Sequence, residues 1–182
     1  MMLLTVLFPM LLLACGAGPD EIAIAIKSEN PVMREDGAKI AQNFDDTVVI
    51  DALVSVLGDP SEQVRLNAIE SLAELDATGA APALIERLTT DESVKVKRAA
   101  ADAIGRLVAE EGVPALLAYL ATFPADDHEQ LAAIWAIGHI GDEGGLDADA
   151  KKSAMLALVH IRDTTTDRYV RYNTNAALRT LK

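Results

Sequence analysis

Side chains able to do acid–base, nucleophilic or metal chemistry are few in this sequence and do not form a recognised set. The three histidines, His128, His139 and His160, have no second histidine or cysteine at metal-ligand spacing. One His-Glu pair, His128-Glu129, is too little for a metal site. The sequence also has no glycine-rich phosphate loop, HExxH helix or nucleophile elbow. We therefore predict a non-catalytic protein with no cofactor and no metal.

A cluster of acidic residues is the other candidate for chemistry, as a calcium site. Its members are Asp142, Glu143, Asp147 and Asp149. The EF-hand pattern does not fit, because Lys151 and Lys152 occupy the next positions. Acidic side chains just before a helix stabilise its positive N-terminal end. We therefore interpret the cluster as the start of a helix.

The elements that would position any site come from an internal repeat of 32 residues. Residues 59–88 and 91–120 align without a gap. They share Asp59/Asp91, Ser61/Ser93, Val64/Val96, Ala68/Ala100, Leu75/Leu107, Ala77/Ala109, Pro82/Pro114, Ala83/Ala115, Leu84/Leu116 and Leu88/Leu120. Self-similarity at a period of about 20 to 50 residues is typical of a solenoid, in which each unit packs mainly on its neighbours.

Each unit of the repeat is predicted to form two helices. Asp59-Pro60 supplies an N-cap and a proline at the first helical position, and Gly79 permits the turn between the helices. The apolar face of the first helix consists of Val64, Ala68, Leu72 and Leu75. The apolar face of the second consists of Leu84, Ile85 and Leu88. Neither helix can bury its face alone, so the pairs must stack.

This pattern resembles the HEAT repeat, in its short bacterial form of about 30 residues. The resemblance is carried by Val64-Arg65, Ala68, Leu72, Leu75, residues 81–85, Leu88 and Asp91. It implies an all-α fold, a right-handed α-solenoid of about four HEAT-like helix pairs. Such repeats mostly supply binding surfaces, so it also implies a protein partner and no small-molecule substrate.

The rest of the chain is predicted to continue the array. We place units at about residues 30–58, 59–90, 91–123 and 124–161, with a half unit at 164–182 that can close the stack. In the first unit Val32 and Ile40 align with Val64 and Leu72. In the unit at 124–161 the apolar face is Ala133, Ile137 and Ile140, and in the half unit it includes Val170, Leu178 and Leu181. Residues 20–28 favour a capping helix, because a lone strand would have no partner.

The first 14 residues are uncharged and apolar, and we predict that they are a signal peptide. The run is shorter than the roughly 20 residues that a membrane span needs. Leu12-Leu13-Ala14-Cys15 resembles the bacterial lipobox, which implies lipid attachment at Cys15, a linker over residues 15–20 and a repeat domain over 21–182.

The lipobox resemblance implies a lipid-anchored protein of the bacterial cell envelope, with its domain facing the periplasm. The lack of an acidic residue directly after Cys15 favours the outer membrane. Signal peptides normally begin with positive charge, and this run has no Lys or Arg. An uncleaved apolar helix that caps the repeats therefore stays open as the alternative.

The formal net charge of −12 restricts the choice of partners. Nucleic acid binding needs a basic stripe that faces phosphate, so we predict no nucleic acid partner. The same excess of acid disfavours a domain that lies flat on anionic lipid.

Two residues of the unit at 124–161 are the leading candidates for a binding surface. By alignment of the repeats, Trp135 and His139 stand at outward positions, four residues apart on one helix face. An exposed tryptophan beside an imidazole is typical of interface hot spots. The equally weighted alternative is that the long turn or the half unit covers the ring.

Second helices supply further candidates, because in HEAT-like solenoids they usually line the concave side. These candidates are Tyr119, Glu86, Arg87, Asp51 and Ser55.

From these observations we predict a non-catalytic scaffold that binds a protein partner and is tethered to a membrane through Cys15. One alternative is a chaperone-like lyase resembling the phycobilin lyases, which share these short repeats. Another is a cytoplasmic HEAT-repeat regulatory protein, if the N-terminus is not a signal. A HEAT-like alkyl-base glycosylase is disfavoured by the acidic charge.

Overall fold

The computed structural model describes residues 16–125, 127–143 and 146–182. These residues form ten α-helices, four short 3₁₀ helices and no strand. The helices are α1 Pro19–Ile26, α2 Pro31–Ile40, α3 Thr47–Ser55, α4 Glu62–Glu74, α5 Ala81–Thr90, α6 Val94–Arg106, α7 Val113–Leu120, α8 Leu131–Asp142, α9 Ala148–Thr164 and α10 Arg168–Thr180. The 3₁₀ helices are Ala41–Asn43, Thr78–Ala80, Glu110–Gly112 and His128–Gln130. The predicted all-α fold is confirmed, whereas the predicted signal peptide and Cys15 lie outside the described residues.

The chain divides into two compact units, residues 1–80 and 81–182, called unit 1 and unit 2 below. In unit 1, α2 packs beside α4 in one layer and α1 packs beside α3 in a second. The predicted capping helix at residues 20–28 is α1, which buries Ile22 and Ile26 completely. These isoleucines form the core of unit 1 together with Leu53, Ile69 and Leu72.

Unit 2 also has two layers. The first layer contains α6, α8 and α10 in sequence, and the second contains α5, α7 and α9. Each second-layer helix also contacts the first-layer helix that follows it in the chain. The predicted inward faces are confirmed, because these residues are all buried: Val96, Ala100, Ile104, Ala133, Ile137, Ile140, Val170, Leu178 and Leu181.

The turn before α4 is held by an aspartate that does not cap the helix. Helix α4 has Ser61 as its N-cap, so the prediction that Asp59 is the cap was wrong. The Asp59 carboxylate instead accepts the Ser61 N–H at 2.8 Å and pairs with Arg34, with 2.6 Å between Nε and Oδ2. Asp91 accepts the Ser93 N–H at 2.9 Å in the same way.

The turn after α4 also differs from its prediction. The residue in the left-handed region is Asp76, with φ of 48°, and its counterpart after α6 is Val108, with φ of 50°. Gly79 lies in the next 3₁₀ helix and has no positive φ. The chain turns at the end of the helix, before the glycine is reached.

The first repeat is shifted by one residue from the predicted alignment. Val32 is 46% exposed and Ile40 only half-buried, whereas Gly37, Ala38 and Ala41 are buried. Arg34 stands where Arg65 stands in the next repeat, because each donates to the carbonyl six residues earlier, at 3.0 and 2.8 Å. The spacing between these two repeats is therefore 31 residues and not 32.

Candidate binding surface

Trp135 and His139 lie on the outer side of α8, as their spacing predicts. Their rings stack with centroids 5.0 Å apart and planes 14° from parallel. Trp135 remains 43% exposed, so part of the ring is accessible. Gly105 of α6 lies under the indole, since a Cβ at that position would be 2.8 Å from Trp135 Cζ3. The tryptophan is therefore fixed against the scaffold with one face open.

A groove runs between α8 and α10 beside this stacked pair, with a volume of about 190 Å³. It exists because the two helices approach closely at Gly138, where a Cβ would be 2.8 Å from Ala177 Cβ. Thr180 Oγ1 strengthens the contact by donating to the Gly138 carbonyl at 2.7 Å. This α8–α10 groove is lined by Trp135, Gly138, His139, Asp142, Asn173, Ala176, Ala177 and Thr180.

The first layer of unit 2 is basic although the chain as a whole is acidic. Helices α6, α8 and α10 carry seven lysines and arginines and two aspartates, for a formal net charge of +5. Partial desolvation raises the pKa of one of those aspartates, Asp102, against the opposing charge of Arg106. The positive charge lies on the helices around the groove, whereas the one charged residue among its described lining is Asp142.

A second aromatic contact lies at the start of the first-layer helices. The rings of His128 and Tyr169 are 6.0 Å apart, and His128 Nε2 lies 3.3 Å from Asp167 Oδ2. Asp167 caps α10 by accepting the N–H groups of Val170 and Tyr169, and these bonds together with His128 lower its pKa. The two members of the His128-Glu129 pair therefore have different partners, because His128 lies beside Asp167 whereas Glu129 lies 3.5 Å from Arg98.

Tyr119 is not a surface residue, and the prediction that it lines a groove was wrong. The residue is 5% exposed, and its ring packs edge-on against Phe123 with centroids 5.0 Å apart. Burial raises the pKa of its hydroxyl to about 12. The hydroxyl has no hydrogen-bond partner among the described residues.

The other second-helix candidates are accessible but do not join the α8–α10 groove. Glu86 is exposed on α5 and pairs with the half-buried Arg87, which also lies 3.9 Å from Asp91. Both belong to the second layer of unit 2, whereas Trp135 belongs to the first. Asp51 and Ser55 are exposed on α3 in unit 1.

Gln130 has a structural role that no sequence pattern indicated. It is 1% exposed, and its Nε2 donates to the carbonyls of Leu120, Phe123 and Pro124 at 3.2, 2.8 and 3.0 Å. These bonds fix the loop after α7 and form one wall of an apolar cleft of about 280 Å³ between α7 and α9. The Gln130 side chain thus supplies hydrogen bonds to carbonyls that backbone N–H groups would satisfy in a regular turn.

The described residues offer no grouped metal ligands and no membrane-spanning helix. No three His, Cys, Asp or Glu side chains among them are grouped closely enough to hold a metal ion. In the acidic cluster, Asp147 caps α9 by accepting the Ala150 N–H at 2.7 Å, as a helix start requires. None of the helices in those ranges has both the length and the apolarity of a membrane span.

The layers of paired helices define an all-α repeat protein of the α-solenoid class. The family model for HEAT repeats matches residues 19–94 and 81–179, so the chain belongs to the HEAT-repeat family. None of the curated proteins compared with the sequence matches it significantly.

Among solved structures, the chain is similar to one in the complex of CpcE and CpcF of phycocyanin lyase from Nostoc sp. PCC7120. The TM-score is 0.76 at 21% identity, over 90% of this chain and 65% of that chain. At this identity the likeness shows the fold alone. The chain covers 65% of the length of that relative, which is slightly less than two thirds.

Proposed function

We propose that this protein is a non-catalytic HEAT-repeat scaffold whose α8–α10 groove binds a protein partner. The observation that carries the proposal is the exposed Trp135 ring, stacked on His139 and supported by Gly105. Tryptophan is enriched in interface hot spots because it offers a large apolar area with few rotatable bonds. A rigid, exposed indole needs no rearrangement before it is buried by a partner.

The size and chemistry of the groove support a protein partner. A volume of about 190 Å³ admits a side chain or two, whereas pockets for small-molecule ligands usually hold about 300 to 1,000 Å³. Asn173, Thr180 and His139 place polar groups along the groove, and Asp142 adds a carboxylate. The basic first layer favours a partner segment that combines an apolar side chain with acidic neighbours.

We propose further that the scaffold is tethered in the bacterial envelope through a lipid on Cys15. Tethering would raise the effective concentration of the scaffold for any partner at the same membrane. Intact mass and fractionation of the full chain and of Cys15→Ser test this part. We expect cleavage before Cys15 with added acyl mass, lost in Cys15→Ser. An uncleaved chain in the cytoplasm would instead support a soluble regulatory protein.

The groove is tested by quantitative capture from envelope extracts with the wild-type chain and Trp135→Ala. We expect partner recovery to fall about tenfold or more, because loss of a hot-spot residue costs about 2 kcal/mol or more. Ile24→Ala is the matched control, since Ile24 is an exposed apolar residue of unit 1. Equal recovery with all three proteins would refute the groove as the binding surface.

The alternative is a chaperone-like lyase for a bilin. The similarity to the CpcE and CpcF complex favours it, and the apolar cleft between α7 and α9 is the larger of the two cavities described above. A bilin added to the purified chain would then give a shifted absorption band that Leu117→Glu in the cleft abolishes. An unchanged bilin spectrum would exclude this alternative.

A further inference from the structure

Helix α9 is apolar on two opposite sides. Its inner side is buried at Ala154, Leu158 and Ile161. Its outer side carries Ala148, Met155, Leu156 and Val159, and Leu156 is 63% exposed. A second apolar stripe on the solvent side of a helix can pack against a further neighbour, because an amphipathic helix buries its apolar stripe against other elements. The outer side of α9 therefore has the character of a packing surface.

The place of α9 in unit 2 shows what kind of neighbour fits that side. The second layer runs α5, α7, α9, and each of these helices packs on the next. Beyond α9, an open concavity of about 410 Å³ is lined, as far as the chain is described, by residues of α9. Helix α10 belongs to the first layer, where it packs on α8. It also contacts α9 of the second layer but leaves the outer side of α9 exposed. The exposed side has the geometry of a site for one more second-layer helix.

The first helix of unit 1 provides the contrast. The exposed residues of α1 are Asp20, Glu21 and the single apolar Ile24. This polar outer side is what a terminal repeat needs for solubility. Because α1 offers only one exposed apolar side chain, it is a poor match for the four apolar residues of α9. Helix α1 of a second copy is thus disfavoured as the occupant.

Charge identifies the occupant. Lys151 and Lys152 border the apolar residues on the outer side of α9. The Lys151 ammonium also donates to the Lys182 carbonyl oxygen at 3.4 Å. We propose that the outer side of α9 docks an amphipathic helix of a partner protein, with an apolar stripe flanked by Asp or Glu. This surface is separate from the α8–α10 groove.

The test uses the full chain and a labelled peptide of about 18 residues with leucines at i, i+4, i+7 and i+11 flanked by glutamates. A peptide with lysines in place of the glutamates is the matched probe. Fluorescence anisotropy is expected to show saturable binding of the acidic peptide and binding of the lysine peptide weaker by about tenfold. Leu156→Glu is expected to abolish binding, and Lys151→Glu/Lys152→Glu to reverse the preference between the peptides.

Trp135→Ala is expected to bind the acidic peptide like wild type, which separates this proposal from the groove. Leu156→Ser, with circular dichroism melting of every variant, distinguishes a lost surface from a lost fold. Equal binding of both peptides, or binding that survives both Leu156 variants, overturns the proposal. Concentration-dependent dimers in sedimentation that Leu156→Glu dissolves would also overturn it, because the occupant would then be a second copy.

Discussion

Neighbouring first-layer helices are joined by different chemistry in the two units. In unit 1, buried side chains of α4 donate to carbonyls of α2: Asn67 Nδ2 to Glu35 at 3.0 Å and Ser71 Oγ to Ala38 at 2.7 Å. In unit 2, α8 packs on α6 and α10 mainly through Gly105 and Gly138, where a Cβ would meet the neighbouring helix at 2.7 and 2.8 Å, and Thr180 adds a hydrogen bond to the Gly138 carbonyl. The same repeat thus tolerates either a polar or a close-packed joint.

The close-packed joint explains why the candidate surface is in unit 2. Gly105 leaves room for the Trp135 ring, and Gly138 brings α10 near enough to form the groove. The charge also differs between the units. Residues 16–80 have 13 acidic and four basic side chains, for a net charge of −9, whereas residues 81–182 have 15 and 12, for −3. Unit 1 is therefore the more acidic of the two units, by six charges.

Gly138→Ala should give the largest effect on stability. Alanine normally stabilises a helix by about 1 kcal/mol over glycine. Here its methyl group would lie 2.8 Å from Ala177 Cβ, so overpacking should exceed that gain and lower the free energy of unfolding by about 2 kcal/mol. Urea denaturation measures the change. Gly79→Ala is the control, because no atom lies within 4 Å of a Cβ there, and it should change stability by about 0.5 kcal/mol or less. If the two variants were equally stable, a close-packed joint would be ruled out.

Asp59→Asn in unit 1 should cost more than Asp91→Asn in unit 2. Asp59 and Asp91 are both buried, but Asp59 pairs with Arg34 at 2.6 Å whereas Asp91 lies 3.9 Å from Arg87. Breaking a buried pair costs about 3 to 5 kcal/mol, and less where the two charges are farther apart. Because the Arg34 side chain keeps 15% exposure, we expect about 2 kcal/mol for Asp59→Asn and about 1 kcal/mol for Asp91→Asn. Equal losses would mean that Arg34 adds nothing to the turn.

The cost of Asp59→Asn should also depend on pH. Burial alone raises the pKa of Asp59, but the hydrogen bonds from Arg34 and the Ser61 N–H lower it below its usual value. The carboxylate therefore stabilises the folded state above the unfolded pKa of about 3.9. That stabilisation is lost as the pH falls through the lower folded pKa. The difference between wild type and Asp59→Asn should shrink in urea titrations below pH 4, and a constant difference would contradict the pairing.

Val108→Asn should stabilise the protein by about 1 kcal/mol. Val108 has φ of 50°, a conformation that a β-branched residue adopts only under strain, whereas asparagine tolerates it. The equivalent turn of unit 1 already has Asp76 at φ of 48°, so Asp76→Asn is the control and should change little. A thermal melt of both variants measures the comparison. A lower melting temperature for Val108→Asn would show that packing of the valine outweighs its strain.

Tyr119→Phe should have the smallest effect, a gain of about 0.5 to 1 kcal/mol, because it removes a buried hydroxyl that has no partner among the described residues. The folded pKa of about 12 exceeds the unfolded value of about 10. Wild type should therefore lose stability as the pH rises from 10 to 12, and the advantage of Tyr119→Phe should grow over that range. Stability curves in urea at pH 8 and pH 11 test both expectations. A less stable Tyr119→Phe at pH 8 would point to a partner for the hydroxyl.

Much of the fold could be predicted because the apolar pattern of each helix face recurs in several repeats. Val64, Val96 and Val170 recur at one position, and each is completely buried. The errors fell where a single residue or a one-residue shift decided the outcome. In the first repeat the shift to a 31-residue spacing exposed Val32, and after α4 the left-handed turn fell on Asp76, a residue type that tolerates it.

The sequence by itself determined the helices, their inward faces and the outward position of Trp135, because these depend on a period of 3.6 residues within one chain segment. Only the tertiary structure decided which outward side chains stay exposed. Tyr119 and Arg87 hold the same repeat position, yet Tyr119 is buried against Phe123 and Arg87 is half-buried beside Glu86. The outer side of α9 is exposed for the same kind of reason. Burial depends on which neighbouring helix arrives, and the pattern of a single helix does not contain that information.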